Sequence, residues 1–327
     1  MEIDTLATRL TQGDRRALSR AITLVESTRS DHRAAAVKLL ERVTDPDRQA
    51  LRIGLSGTPG VGKSTFIEAF GLMLTGQGMR VAVLAVDPSS ARSGGSILGD
   101  KTRMDRLSRD PAAFIRPSPS QTELGGVARR TREAIALCEA AGFDAVIVET
   151  VGVGQSETMV AQMTDLFVLL LAPGGGDELQ GVKRGIMEIA DLIVINKADG
   201  ALKAQAQSTR ADYAGALRLL RKRPGDPEGF PKALAVSASE GTGLDTAWDE
   251  MQALARFRRE SGHWDRTRAA QNRHWFEEAV RLGLMRHLAT DPQSREAMDR
   301  LGRDVADGHL PPGAAAEKML NLLLSRD

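Results

Sequence analysis

The chain has 327 residues and a formal net charge of +1, with 44 basic side chains against 43 acidic ones. So even a balance argues against a generic nucleic-acid binder, and an aromatic content of only 4% argues against a platform for stacked bases. The single cysteine, Cys138, excludes a disulfide framework or a thiolate metal cluster, the five histidines are scattered, and no apolar run reaches the roughly 18 residues of a membrane span. Residues 1–16 carry Glu2, Asp4 and Asp14 and lack the apolar stretch of a signal peptide, so a cytoplasmic, reducing compartment is expected.

In chain order, residues 1–50 read as a helical N-terminal extension. Asp14 is placed to cap a helix whose apolar face recurs at Leu18, Ile22 and Val25, and Ser30 or Asp31 to cap the next, with Ala36, Leu39 and Leu40 inward and Pro46 at its end. Short apolar runs then follow at Ile53–Leu55, Val81–Val86, Ala145–Val148, Leu166–Leu171, Leu192–Ile195 and Ala233–Val236. They are apolar on successive residues, as strands buried on both faces are, and they alternate with helical segments at Ser64–Leu74, Val127–Ala141 and Asp177–Ala190. This predicts an α/β domain over 51–255 with a mostly parallel central sheet flanked by helices. Pro88–Gly126 interrupts the pattern with a Ser- and Gly-rich stretch, and Gly174–Gly176 forms a second glycine cluster. Residues 256–327 return to helix, with a long amphipathic segment through Trp275, Ala279, Leu282 and Leu288 and a last helix at Ala314–Leu324. Trp264, Trp275 and Phe276 with Leu282 and Leu288 read as a dimer face, with helices packed on the core as the plainer alternative, and the apolar excess favours association into a homodimer.

Four motifs carry chemistry. Gly57-Thr58-Pro59-Gly60-Val61-Gly62-Lys63-Ser64, followed by Thr65, fits the P-loop and lies between a predicted strand and a predicted helix. Its glycines let backbone N–H groups face a polyphosphate at a helix N-terminus; Lys63 would reach the β- and γ-phosphates, and the Ser64 hydroxyl would ligate Mg²⁺. Asn196-Lys197-Ala198-Asp199 follows a strand and points to guanine, so the expected ligands are GTP and GDP. A carboxylate at Asp199 can accept from guanine N1–H and the 2-amino group, whereas adenine would leave it unpaired. The Lys197 stem would lie along the base and Asn196 would brace neighbouring loops. Ser237-Ala238-Ser239 follows the next strand, where backbone N–H groups would touch guanine O6.

The third motif is Glu149-Thr150-Val151-Gly152. Glu149 would hold Mg²⁺ where most GTPases carry Asp, and the Gly152 N–H would sense the γ-phosphate. Gln155, further from the glycine than the usual catalytic glutamine, is a candidate to orient the attacking water, with an ordinary loop residue as the plainer reading. The fourth is Asp87-Pro88-Ser89-Ser90, opening a loop through Asp100 and Asp105; all three aspartates are candidate magnesium-shell groups, with helix capping the plainer role for the Asp100 region.

Together with the string Ser93-Gly94-Gly95-Ser96-Ile97-Leu98-Gly99-Asp100-Lys101-Thr102-Arg103-Met104, with Glu149–Glu157, with Ala21–Ser27 and with Gln271–Trp275, these motifs resemble the MeaB/ArgK family over nearly the whole chain. These are GTPase chaperones of adenosylcobalamin-dependent methylmalonyl-CoA mutase. The resemblance implies a P-loop GTPase fold and a homodimer joined through C-terminal helices. It implies binding to the mutase, gating of its cobalamin loading, and its protection. It also implies slow intrinsic hydrolysis, and a client-coupling loop around Gly174–Gly185, including Asp177, Gln180 and Lys183. No nucleic-acid or membrane partner is expected. The chief alternative is a nucleotide-dependent metallochaperone GTPase, which would need a histidine or cysteine cluster that this chain lacks. A small-molecule kinase would have no need of Asn196–Asp199, and a decayed scaffold would not keep Lys63, Ser64 and Asp199.

Overall fold

The computed structural model describes residues 2–86, 104–117, 124–150, 155–174, 184–220, 223 and 225–324. Seven strands form one sheet: β1 (Leu51–Gly57), β2 (Val81–Val86), β3 (Ala113–Arg116), β4 (Ala145–Thr150), β5 (Leu166–Leu171), β6 (Leu192–Ile195) and β7 (Lys232–Ala235). Their order is β3-β2-β4-β1-β5-β6-β7, and every neighbouring pair is parallel. Every residue of β4, β5 and β6 is buried, which is why their sequences are continuously apolar.

The helices of the central domain are α4 (Lys63–Gly76), α5 (Asp105–Arg109), α6 (Leu124–Ala140), α7 (Gln155–Ala161), α8 (Arg184–Ile189), α9 (Lys203–Arg218) and α10 (Leu244–Glu260). They are preceded by α1 (Ile3–Thr11), α2 (Arg15–Glu26) and α3 (Ser30–Val43), and followed by α11 (His263–Thr290), α12 (Pro292–Ala306) and α13 (Pro312–Leu324). Phe66 and Phe70 of α4 stack at 5.4 Å between ring centroids, and Phe70 meets Trp248 of α10 edge-on at 5.9 Å. With strand residues Ile53, Ile147 and Val168 these rings belong to one buried apolar cluster, which fixes α4 beneath the central strand.

Asp14 caps α2 as its sequence predicts, accepting from the N–H groups of Arg16 and Ala17. The start of α3 differs: Arg29 holds the cap position without a side-chain bond, and Ser30 and Asp31 lie in the first turn. An acidic residue there is favoured by the helix dipole, and Arg29 donates to Asp31 at 2.7 and 3.0 Å. Five elements lie outside the expected pattern: α5 and α7, which fall in stretches read as loop, and β3, α9 and α12. β3 is a four-residue edge strand bounded by Pro111 and Pro117. α9 buries only Ala206, Thr209, Tyr213 and Leu217, too small and polar a face to stand out. α12 is separated from α11 by Asp291, whose side chain accepts from the Ser294 N–H ahead of a proline at the first helical position.

By its internal contacts the chain divides into residues 1–269 and 270–327. In the first unit, α1, α2 and α3 pack on one another and α2 and α3 on α6, so the N-terminal extension is part of the body that holds the sheet. At the amino end of the strands a buried ion network ties this body together. Arg268 donates to Asp165 at 2.6 and 2.8 Å, Arg52 pairs with Glu139 at 2.7 Å, and Arg258 donates to both Asp191 and Asp226 at 2.6 Å. Trp264 lies between the Arg259 and Arg268 guanidinium groups, 4.2 and 4.4 Å from its ring centroid. In the second unit α12 and α13 close a small core around Ala297, Leu301, Ala315 and Met319. Among the described residues no helix is long and apolar enough to cross a membrane.

Candidate functional site

The candidate site forms at the carboxyl ends of β1, β4, β6 and β7, where parallel strands leave a crevice between their following loops. β1 is central, flanked by β4 and β5, so the loop after it emerges at the middle of that edge. This loop, Gly57 to Gly62, turns from β1 into α4. Gly60 and Gly62 have φ of +86° and +90°, in the left-handed region that favours glycine. A Cβ at Gly57 would lie 2.4 Å from the Leu170 carbonyl oxygen, so β5 leaves no room for a side chain there. Lys63 is the first residue of α4, and its Nζ donates to the Gly57 carbonyl at 2.7 Å and to that of Thr58 at 3.4 Å. The ammonium is thereby folded over the loop that its helix follows. Thr58, Pro59 and Gly60 are exposed, Val61 is buried, Ser64 is half-buried and Thr65 is exposed.

The loop after β6 grips this cradle. Asn196 is buried, and its amide donates to the Val61 carbonyl at 3.0 Å and the Gly62 carbonyl at 3.5 Å. Its Oδ1 accepts from the Ala238 N–H at 3.1 Å. One side chain therefore joins the phosphate loop, its own loop and the loop after β7. Lys197 donates to the Gly60 carbonyl at 2.7 Å and is the one described non-glycine residue with positive φ, at 59°. A left-handed lysine is costly, and it is held by the Ala198 N–H donating to Val236 at 3.0 Å. Asp199 follows; its Oδ2 accepts from the hydroxyls of Ser237, in a short bond, and Ser239 at 2.9 Å. The Ser237 hydroxyl, and then that of Ser239, hold the Asp199 carboxyl below its ordinary range. The Asp199 carboxylate and the Ser237–Ser239 loop are thus coupled through side chains, a contact beyond the backbone role expected for that loop.

Glu149 is buried near the end of β4 and lies in register with Leu55, two residues before the cradle. With the Ser64 hydroxyl it offers hard oxygen donors at the same edge, a set whose chemistry fits Mg²⁺. One residue nearer the carboxyl edge is a pair that strand patterning did not single out: the buried Thr150 hydroxyl donates to Ser56 Oγ at 3.0 Å, crossing from β4 to β1. The only signal was a polar residue at the end of each of two apolar strands. Asp105 opens α5 and its exposed carboxylate accepts from Arg109 at 2.9 Å, a local ion pair that gives its reading as a metal-shell group no support. Asp87, Asp100, Gly152 and the Gln155 side chain lie outside the described residues, as does the segment 175–183. Among the described residues no group of three or more His, Cys, Asp or Glu side chains could hold a metal ion. Cys138 is buried in α6, where burial and then the Glu139 charge push its thiol up, making it unsuited to nucleophilic work.

A parallel sheet with this cradle and this base loop defines a P-loop GTPase, and comparison with known proteins narrows the class. The model of the family described as "Methylmalonyl Co-A mutase-associated GTPase MeaB" matches residues 18–293. A mouse protein named "Methylmalonic aciduria type A homolog, mitochondrial" is 50% identical over 99% of this chain and 80% of its own length. The GTPase ArgK of Escherichia coli is 50% identical over 86% of this chain and 84% of its own. The solved structure described as an LAO/AO transport system kinase superposes with a TM-score of 0.75 at 38% identity, covering 99% of this chain and 98% of that one. The chain belongs to the MeaB family, and it is a GTPase.

Proposed function

We propose that this GTPase binds adenosylcobalamin-dependent methylmalonyl-CoA mutase, gates the loading of its cofactor and protects it. The family description and the name of the mouse relative support the association. The observation that carries the nucleotide half of the reading is the Asn196 junction, which holds the phosphate cradle and the base loop as one unit. On this reading Gly57–Thr65 receive the phosphates, Asn196, Lys197, Asp199 and Ser237–Ser239 receive guanine, and Ser64 and Glu149 hold Mg²⁺, which would neutralise charge on the β- and γ-phosphates. Lys63 leaves its carbonyl partners for the γ-phosphate and stabilises charge as water attacks in line. Asp87 and Asp100 are proposed for the magnesium shell, Gly152 for sensing the γ-phosphate and Gln155 for orienting water. Loss of γ-phosphate contacts on hydrolysis would then be the signal to the client. Turnover by the isolated protein is slow in this account, because the sequence assigns no arginine finger.

Self-association is part of the proposal. Phe276, Val280 and Leu284 recur every four residues along α11 and are 68, 47 and 59% exposed, an apolar stripe suited to a second copy of the chain. The reading is tested by passing the full-length protein over immobilised mutase with GDP, GTP or a non-hydrolysable GTP analogue, and by following phosphate release with and without the mutase. Nucleotide-dependent capture and faster GTP turnover are expected; capture that ignores the nucleotide, together with unchanged turnover, would refute it.

A further inference from the structure

The carboxylate proposed to read the base is engaged asymmetrically. Both Ser237 and Ser239 donate to the same oxygen of Asp199, Oδ2, and their own hydroxyl oxygens are 3.0 Å apart. Each hydroxyl has one proton to give. Ser237 Oγ accepts from the Glu240 N–H at 3.1 Å, so its lone pairs serve the backbone and its proton serves the carboxylate. The Ser239 proton has two acceptors in reach, the same carboxylate oxygen at 2.9 Å and Ser237 Oγ at 3.0 Å, and the charged oxygen is the stronger of the two. Oδ1 accepts from no described residue. The loop that presents these hydroxyls is held at both ends: the Ser237 N–H donates to the Thr242 carbonyl at 2.9 Å, and Gly243, at φ +78°, closes against the Ala235 carbonyl, which a Cβ there would approach to 2.8 Å.

We propose that Ser239 is a positioning residue for base selection: with Ser237 it anchors one oxygen of Asp199 twice, fixing the carboxylate plane and turning Oδ1 to the base. The inference rests on the reading of Asp199 as the base-recognising group. The physical reason lies in the terminal torsion of an aspartate, which is broad and carries little barrier of its own. A single hydroxyl leaves the carboxylate free to swing about one hydrogen bond, whereas two donors on one oxygen define its plane. Guanine presents two adjacent donors, N1–H and the 2-amino group, and needs that plane for both. Hypoxanthine presents N1–H alone and tolerates a rotated carboxylate. Ser239 therefore contributes to discrimination between bases and not only to affinity. Because Ser239 is exposed, water competes for the same acceptor and the effect is moderate.

The test is equilibrium binding of GDP, IDP and XDP to the full chain and to Ser239→Ala, Ser239→Thr and Asp199→Asn. Ser239→Ala is expected to weaken GDP binding by roughly fivefold and IDP binding by less than about twofold, narrowing their ratio, and Ser239→Thr, which keeps the hydroxyl, to restore it. Equal weakening of both ligands, an unchanged ratio, or failure of threonine to restore it would overturn the proposal, since Ser239 would then only shape the loop. The Asp199→Asn arm separates the two levels. If that variant moves preference from GDP to XDP while Ser239→Ala leaves the ratio alone, only the role of Ser239 fails. If Asp199→Asn keeps the wild-type order, the base-reading assignment falls as well.

Discussion

Two side chains at the candidate site have proposed roles that depend on their charge. Asp199→Asn exchanges a carboxylate proposed to accept from guanine for an amide that can donate to the 2-carbonyl of xanthine. The variant is therefore expected to lose GTP affinity by at least about tenfold and gain affinity for XTP, read by competition against a fluorescent GDP analogue. Because the hydroxyls of Ser237 and Ser239 depress its pKa, Asp199 stays ionised across the working range. A group held below its ordinary value protonates only at lower pH, so the preference for GDP over ADP should be flat from pH 8 down to about 5 and fall only below that. A decline of that ratio already between pH 7 and 6 would contradict the assignment. Lys63→Ala removes the ammonium that closes over the cradle, and GTP turnover is expected to drop by about 10²–10³-fold with the circular dichroism spectrum unchanged.

At the level of elements, the entry to α4 and the loop after β6 interlock. Gly62→Ala places a Cβ 2.8 Å from Asn196 Nδ2 at a φ of +90°, so both strain and collision act on the same joint. A loss of roughly 1–3 kcal/mol in urea unfolding, with weakened GDP binding, is expected. Most of the element pattern was legible beforehand because buried parallel strands are continuously apolar; the bounds of β2, β5 and β6 coincide with their apolar runs. The misses have separate causes. β3 is too short and too close to two prolines to show a pattern, and α9 presents alanine, threonine and tyrosine where a strong apolar face would have marked it. The break before α12 was visible as Asp291-Pro292, a cap followed by a proline at the first helical position, but the apolar run through Leu284–Leu288 masked it.

Across the whole molecule, stability of the first unit depends on charges that no local pattern reveals. Arg268 sits early in α11 and satisfies Asp165, at the start of β5, more than a hundred residues away in the chain. Arg268→Ala would take the ion-pair partner from the buried Asp165 carboxylate and leave it the Arg52 N–H, at a cost of about 3–5 kcal/mol, seen as a lower urea midpoint. The exposed stripe of Phe276, Val280 and Leu284 is expected to lose self-association when Phe276 and Leu284 are both replaced by serine, which sedimentation velocity would report as a monomer.

The sequence by itself determined the class of fold and the types of group at the candidate site, because P-loop glycines, the Asn196–Asp199 run and continuous apolar strands each follow from chemistry within a few residues of chain. Only the tertiary structure decided how those groups meet. It joined Asn196 to both the phosphate cradle and Ala238, gave Asp199 two hydroxyl partners, paired Thr150 with Ser56 across β4 and β1, and drew the N-terminal helices into the body of the domain. The physical reason is distance along the chain. These contacts join residues tens to hundreds of positions apart, and their geometry exists only after strand order and register have brought the ends together.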